Sequence, residues 1–211
     1  MLRFVVTVAL LAFQTAHGAF PGDALAILAD GTEVLMSTVK SGELLQTVEP
    51  YWDQGRFTDP VIGFSDNYPT IPTVFRRLTF DNFRILTVTD DHLIAGDNGT
   101  GIPARYFEIG DIVLYSTGDS LVASTTKIVN IEGIVKAGSY APITHSGWIL
   151  VDGIICSCYA PGRHIAQYVR EDTIHTLLLP FRLWYMFQTH TWPYLVKRCQ
   201  EALKSVHDRW Y

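Results

Sequence analysis

The sequence has few cysteines, few charges and no hydrophobic run long enough to cross a membrane as a helix. Its 211 residues include 3 Cys, too few for a disulfide scaffold, and only 18% are charged. The 16 Lys and Arg against 21 Asp and Glu give a net charge of −5 with no Lys/Arg-rich run, which argues against nucleic-acid binding. Because 48% of the residues are hydrophobic, a disordered chain is excluded and a sizeable core is expected.

The first 18 residues follow the order of a secretory signal peptide. Met1 to Arg3 gives a positive start, Phe4 to Phe13 is apolar, and the segment then turns polar and small at Ala16 and Gly18. This run of ten residues, broken only by Thr7, is half of the ~20 that a transmembrane helix needs, although a buried strand or helix is the alternative interpretation. We therefore predict cleavage after Gly18, a mature chain that begins at Ala19, and secretion.

A secretory route makes two further features relevant. Asn98-Gly99-Thr100 is a glycosylation sequon in a sequence typical of an exposed turn, so Asn98 is a candidate acceptor. Cys156 and Cys158 are two residues apart and would share one face of a strand. With Cys199 the number is odd, so at least one thiol is free or pairs with another chain.

From Ala24 to about Cys158 the chain alternates short β-branched or aromatic segments with Gly, Asp, Asn and Pro, which predicts an all-β core. The predicted strands include residues 24–28, 61–64, 83–88, 112–115, 127–131 and 148–151. Gly42-Glu43-Leu44-Leu45 is echoed 68 residues later by Gly110-Asp111-Ile112-Val113. Taken alone, this echo is chance-level support for a duplicated β unit.

Beyond Pro161-Gly162 the alternation stops and the pattern becomes helical. Residues 164–170 and 173–188 lack the period of a strand, and residues 194–207 place apolar side chains at helical spacing after Pro193. We therefore predict a β domain over residues 19–160 and a helical tail over residues 161–211.

Four positions in the predicted β domain could carry chemistry. Thr89 ends a strand three residues before His92, and a turn can return the imidazole to the hydroxyl, where the pair could polarise an amide and protonate its leaving nitrogen. Asp66 directly follows an apolar strand, and Cys158 ends the last β segment. Taken singly, each has an ordinary alternative: a loop histidine, a turn-forming aspartate or a small buried side chain.

Read in order, several segments resemble the Hog domain, the C-terminal autoprocessing domain of Hedgehog proteins and a Hint module related to inteins. The blocks are Ala19-Phe20-Pro21-Gly22-Asp23, Leu86-Thr87-Val88-Thr89-x-x-His92, Ala141-Pro142-Ile143-Thr144 with Gly147, and Val151-Asp152-Gly153 through Ser157-Cys158-Tyr159-Ala160. The resemblance implies an all-β Hint fold with a pseudo-two-fold core, followed by a helical tail.

The resemblance also implies a mechanism and assigns roles. In the family, a cysteine that opens the domain attacks the preceding carbonyl, usually of glycine, and forms a thioester that is then transferred to cholesterol. Thr89 and His92 correspond to the residues that activate the acyl shift. Asp66, 23 residues before Thr89, corresponds to the residue that activates the sterol hydroxyl, and Cys158 to a cysteine near the active site. No metal or cofactor is expected, with cholesterol or another sterol as a possible co-substrate.

Two features depart from this pattern. Ala19 stands where the family has its nucleophilic cysteine, and a methyl group cannot form a thioester. The domain is also expected to follow only a signal peptide, whose removal after Gly18 would leave no peptide bond to rearrange. We therefore expect a Hint frame that is inactive as written; the alternative is a secreted binding module for a lipid or a protein.

The tail is rich in aromatic residues. Residues 177–187 form the most apolar stretch of the expected mature chain, and Trp192 follows soon after. One interpretation is contact with a sterol or a membrane surface, since Trp and Tyr suit interfaces. The candidate contact residues are Phe181, Trp184, Phe187 and Trp192. The alternative is a helix that packs on the β domain, because Pro180 and Arg182 interrupt a uniform apolar face.

Overall fold

The computed structural model describes residues 18–48, 50, 56–116, 123–160 and 171–191, and in this part of the chain all strand pairings are antiparallel. The strands are β1 (Leu25–Ile27), β2 (Glu33–Leu35), β3 (Leu44–Val48), β4 (Arg56–Phe80), β5 (Ile85–Val88), β6 (Leu93–Ala95), β7 (Gly101–Pro103), β8 (Ile112–Tyr115), β9 (Ser124–Thr144), β10 (Trp148–Val151) and β11 (Ile154–Ser157). Short 3₁₀ turns lie at Met36–Thr38 and Ala104–Tyr106. The predicted all-β core is confirmed.

The two longest strands, β4 and β9, form a ribbon through the centre of the sheet. Their pairing runs from Val61 opposite Thr144 to Phe80 opposite Ile128. The sequence indicated only short segments here because proline and glycine interrupt the apolar pattern. The strand continues through these residues by shifting register, including between Val61 and Gly63 and between Tyr68 and Pro72. Such irregularities accommodate residues that a regular ladder excludes.

The echo between Gly42 and Gly110 marks a structural duplication. Both glycines have a left-handed backbone, with φ of 91° and 104°, which favours glycine. The Gly42 amide donates to the Val61 carbonyl at 2.8 Å, and the Gly110 amide donates to Ile128 at the same distance. The strands β1, β2 and β3 and the first 3₁₀ turn recur 68 residues later as β6, β7, β8 and the second turn. The predicted pseudo-two-fold core is therefore present.

Apolar residues of β3, β6, β8, β10 and β11 pack into one buried cluster. Its fully buried members are Val48, Ala95, Leu114, Trp148, Leu150 and Ile155. Burying each large side chain contributes about 1.5–3 kcal/mol, so this cluster holds β10 and β11 firmly against the two repeats. β11 leads directly into Cys158.

The C-terminal segment is helical, as predicted, over its described residues, and the boundary between two structural units falls within it, between Ile174 and His175. It contains α1 (Glu171–Leu177), α2 (Leu179–Met186) and a π-helical turn (Phe187–Thr191). Pro180 lies in the first turn of α2, where its missing N–H is tolerated, and this explains why α1 ends before it. The predicted helix over residues 194–207 lies outside the described residues.

Candidate active site

The Gly18–Ala19 peptide bond is enclosed by the β domain. The Ala19 amide donates to Thr89 Oγ1 at 2.9 Å, and the Thr89 amide donates back to the Ala19 carbonyl at 3.0 Å. Phe20 exchanges two backbone hydrogen bonds with Tyr140 of β9, at 2.8 and 3.0 Å. Ala19 and Phe20 are fully buried. The backbone at this peptide bond is thus fixed on both sides, with the hydroxyl of Thr89 directed at the amide nitrogen.

His92 lies against the same peptide bond. β5 ends at Val88, and the turn that follows is closed by the His92 amide, which donates to the Thr89 carbonyl at 3.1 Å. The imidazole packs edge-on against Phe20, with 4.2 Å between ring centroids, and is fully buried. Neither ring nitrogen has a well-formed hydrogen bond among the described residues. Thr89 and His92 therefore approach the Gly18–Ala19 bond together.

Burial sets the charge of this imidazole. Loss of solvent lowers the pKa of His92 from 6.5 to about 4, and the nearby backbone of Gly18 and Ser157 opposes the shift only partly. The ring is therefore neutral at pH 7. A neutral imidazole can accept a proton from one atom and release it to another, which is what a proton shuttle needs.

Two arginines hold the turn that carries His92. Arg76 of β4 contacts Asp90, with 3.0 Å between Nε and Oδ1. Arg105 forms an ion pair with Asp91, and its amide donates to the Asp90 carbonyl at 2.9 Å. The sequence analysis missed both arginines because they are distant along the chain, and the two aspartates resembled ordinary turn residues.

Asp66 lies beside this cluster rather than within it. It is buried on β4 opposite Ala141 of β9, and its Oδ2 accepts a hydrogen bond from Ser139 Oγ at 3.3 Å. Phe20 bridges the other edge of β9 at Tyr140, so Ala19 is level with Ala141. Two strand spacings, ~10 Å, therefore separate the backbones of Ala19 and Asp66. Strand β9 occupies this interval, with Ala141 level with both residues.

Cys158 connects two of the sequence blocks. Its amide donates to the Gly147 carbonyl at 2.7 Å, and its Sγ lies 3.3 Å from Thr144 Oγ1 and accepts the Thr144 amide at 3.4 Å. Ser157, one residue before Cys158, lies by the His92 ring, and Ala160, two residues after it, lies against Gly18. Cys158 therefore belongs to the segment that borders the Gly18–Ala19 bond.

Comparison with known proteins agrees with this geometry. A model of the Hint module family matches residues 10–211. The chain belongs to the Hint module family. The Indian hedgehog protein of Xenopus laevis is 30% identical over 153 residues, which cover 68% of this chain and 36% of that protein. The tiggy-winkle hedgehog protein of Danio rerio is 29% identical over 204 residues, covering 92% and 46%. The chain thus spans less than half the length of either relative.

Solved inteins share the fold. A DnaB intein from Synechocystis sp. PCC 6803 superposes with a TM-score of 0.58 at 14% identity, covering 66% of this chain and 97% of the intein. The bacterial intein-like domain from Clostridium thermocellum gives 0.55 at 16% identity, covering 66% and 97%. The predicted resemblance to the hedgehog-type Hint domain is confirmed.

Other predicted positions of this Hint module have mixed outcomes. Asn98 is exposed in a turn, where its Oδ1 accepts the Thr100 amide at 2.9 Å; its glycosylation stays a prediction. Cys156 and Cys158 are both buried and form no disulfide within the described residues, and burial raises the pKa of the Cys156 thiol. Cys199 and the predicted signal peptide up to residue 17 lie outside the described residues.

In the helical segment of the Hint module, the candidate contact residues Phe181, Trp184 and Phe187 are exposed, and the last two stack with 6.0 Å between ring centroids. Trp192 lies outside the described residues. Within the described part of the chain, helices are too short or too polar to cross a bilayer.

Proposed function

We propose that this chain is a hedgehog-type autoprocessing frame that retains its activating residues but is inactive as written, because Ala19 occupies the nucleophile position. The observation that carries the proposal is the hydrogen bond of 2.9 Å from the Ala19 amide to Thr89 Oγ1, beside the buried imidazole of His92. A structural turn alone has no need for a hydroxyl and a neutral imidazole at one buried peptide bond.

The contacts support a specific division of labour once a thiol stands at position 19. The thiolate would attack the Gly18 carbonyl carbon, the C–S bond would form, and the bond to the amide nitrogen would break. Thr89 holds that nitrogen in position through its Oγ1. His92, which is neutral, would take the thiol proton and deliver it to the departing amine. An alanine methyl supplies neither the nucleophile nor the proton.

We further propose that Asp66 acts after the thioester, by activating the hydroxyl of a sterol acceptor, and that Cys158 serves in the wall of the site. The ~10 Å between the backbones of Asp66 and Ala19 supports this order of events, because β9 separates the two and a carboxyl at that distance is too far away to take part in the acyl shift itself. Residues 1–18 are proposed to be a signal peptide that directs the chain to the secretory pathway. Cleavage after Gly18 would itself remove the bond on which the frame acts.

The direct test restores the nucleophile. A reporter ending in Gly18 and fused to residues 19–211 with Ala19→Cys should form a thioester that dithiothreitol cleaves after Gly18. The unmodified Ala19 fusion is the control and should stay intact, because the acyl shift cannot begin without a thiolate. The measurement is the fraction of reporter released, with mass spectrometry of its new C-terminus. An intact Ala19→Cys fusion whose circular dichroism shows a folded domain would contradict the proposal.

A second candidate function, a secreted lipid-binding module, is favoured by the exposed apolar surface of α2. Trp184 is 57% exposed and Leu183 is 55% exposed, although both are large apolar side chains. Exposed apolar surface on a short helix is typical of a lipid or partner contact. Under this second candidate function, the β domain is a scaffold for the lipid-binding helix and catalyses no reaction of its own.

For that candidate, replacing Trp184 and Phe187 together by serine should weaken binding to cholesterol-containing phosphatidylcholine vesicles at least tenfold. The physical reason is that burying one such side chain contributes about 1.5–3 kcal/mol, and 1.4 kcal/mol is a factor of ten. Phe83→Asn is the matched control, because Phe83 is 92% exposed in the turn between β4 and β5. Vesicle flotation with the whole chain measures the effect. Equal flotation of the double variant and the unmodified chain would show that α2 makes no lipid contact.

A further inference from the structure

The residue before the nucleophile position has almost no space for a side chain. A Cβ built on Gly18 would overlap the methyl group of Ala160 and would lie 3.2 Å from the Ala160 Cα. It would also lie 3.1 Å from Nδ1 of His92. The backbone of Gly18 is outside the left-handed region, so an L-residue could adopt its conformation. The restriction to glycine is therefore steric, and Ala160 is its main source.

Ala160 cannot easily move away, because the segment before it is fixed. The Cys158 amide bonds to the Gly147 carbonyl at 2.7 Å, and Ser157 Oγ accepts the Tyr159 amide at 3.1 Å. Ser157 is itself held in β11 opposite Trp148. A larger residue at position 18 would therefore have to shift a hydrogen-bonded segment on one side or the His92 ring on the other.

We propose that Ala160 is a specificity-determining residue that restricts the acyl side of the reacting peptide bond to glycine. The inference rests on the proposed autoprocessing function for its catalytic consequence, but its steric basis belongs to the chain as it stands. A β-carbon at position 18 would force the backbone of residue 18 away from Ala160 and so shift the reacting carbonyl relative to Thr89 and His92. A misplacement of about 1 Å can cost about 10²-fold in rate.

The first experiment needs no activity. In the Ala19 fusion, where a reporter ending in Gly18 replaces the expected signal peptide and Gly18 is therefore retained, Gly18→Ala should lower the Tm of the β domain by roughly 2–12 °C, as overpacking does in a protein of this size. In the Ala160→Gly background, Gly18→Ala should lower Tm by less than half as much, because the overlap with the Ala160 methyl group is removed. A smaller loss should persist, because the contact of 3.2 Å with the Cα of residue 160 remains. Ala26→Gly is the matched control: Ala26 is also fully buried but lies in β1, so its effect should add to that of Gly18→Ala.

The second experiment uses the Ala19→Cys fusion. Gly18→Ala should reduce thiol-induced cleavage at least about 10²-fold, and Ala160→Gly should recover at least tenfold of that loss. If Gly18→Ala costs the same Tm with and without Ala160→Gly, the inference is overturned whatever the fusion does. If the Tm coupling is present but the Gly18 fusion stays intact in thiol, the steric assignment stands and the autoprocessing function fails.

Discussion

Replacing His92 by alanine in the Ala19→Cys fusion is expected to lower the rate of thiol-induced cleavage after Gly18 by about 10²–10⁴-fold. The departing amine is a poor leaving group unless it is protonated as the C–N bond breaks. The His92 ring packs against Phe20, next to the bond concerned, and its low pKa keeps it able to relay a proton. No bulk water can substitute readily, because the imidazole is fully buried.

The measurement is the first-order rate of reporter release in excess dithiothreitol, followed on gels for the parent and each variant. His92→Gln separates the loss of the proton donor from the loss of packing, because it fills more of the same space, and it should be nearly as slow as His92→Ala. Thr89→Val and Thr87→Val form a matched pair on one chain segment. Only Thr89 Oγ1 is bonded to the Ala19 amide in the structure, so Thr89→Val should be slower than Thr87→Val. If folded His92→Ala releases the reporter at a rate within threefold of the parent, then His92 is not the group that transfers the proton to the departing amine.

Short β-branched segments separated by turn residues were enough to predict an all-β core, whereas the Hint fold was predicted from the resemblance of the ordered blocks to the Hog domain. Thr89 and His92 were foreseeable as a pair because only two turn residues, Asp90 and Asp91, separate them. Their common target, the Gly18–Ala19 bond, was foreseeable only through the family resemblance, since the hydrogen bond between Ala19 and Thr89 joins residues 70 positions apart.

The sequence did not reveal the arginines that hold the His92 turn or the bounds of two strands. Long-range charge pairing explains the first, and irregular strand geometry explains the second. The ion pair between Arg105 and Asp91 has no local signature, since its partners belong to different loops. The predicted strand over residues 83–88 begins only at Ile85, because Phe83 has a left-handed backbone with φ of 64° in the preceding turn. The length of β4 was also hidden, since a strand that shifts register at proline resembles several short segments.

The free energy of unfolding should respond to acid in opposite directions in two variants. Asp152, in the turn between β10 and β11, accepts the Leu25 amide at 3.1 Å, and burial raises the pKa of its carboxyl from 3.8 to about 6. Asp23 and Glu33 reinforce that rise, and Lys136 opposes it. The folded state therefore binds a proton before the unfolded state does, and stability increases as the pH falls from about 6 to about 4.

His92 acts in the opposite sense over nearly the same range. Its pKa falls from 6.5 to about 4 on folding, so the unfolded state takes up the proton first and stability decreases as the pH falls through that interval. Each group changes the free energy of unfolding by about 3 kcal/mol when it has titrated fully. The reason is that one unit of difference between the folded and unfolded pKa corresponds to about 1.4 kcal/mol. In the unmodified chain the two contributions largely cancel.

Asp152→Asn keeps an acceptor for the Leu25 amide but cannot titrate, so it should expose the contribution of His92. Relative to the unmodified chain, the variant should lose about 3 kcal/mol of stability between pH 6.5 and 4, and His92→Gln should gain a similar amount. Urea denaturation at half-unit pH steps measures both differences, and the shared background of other carboxylates drops out on subtraction. Parallel stability curves for Asp152→Asn and the unmodified chain would mean that the Asp152 carboxyl is already ionised in the folded protein at pH 5. The acid response would then come from His92 alone, and the unmodified chain would itself weaken steadily below pH 6.5.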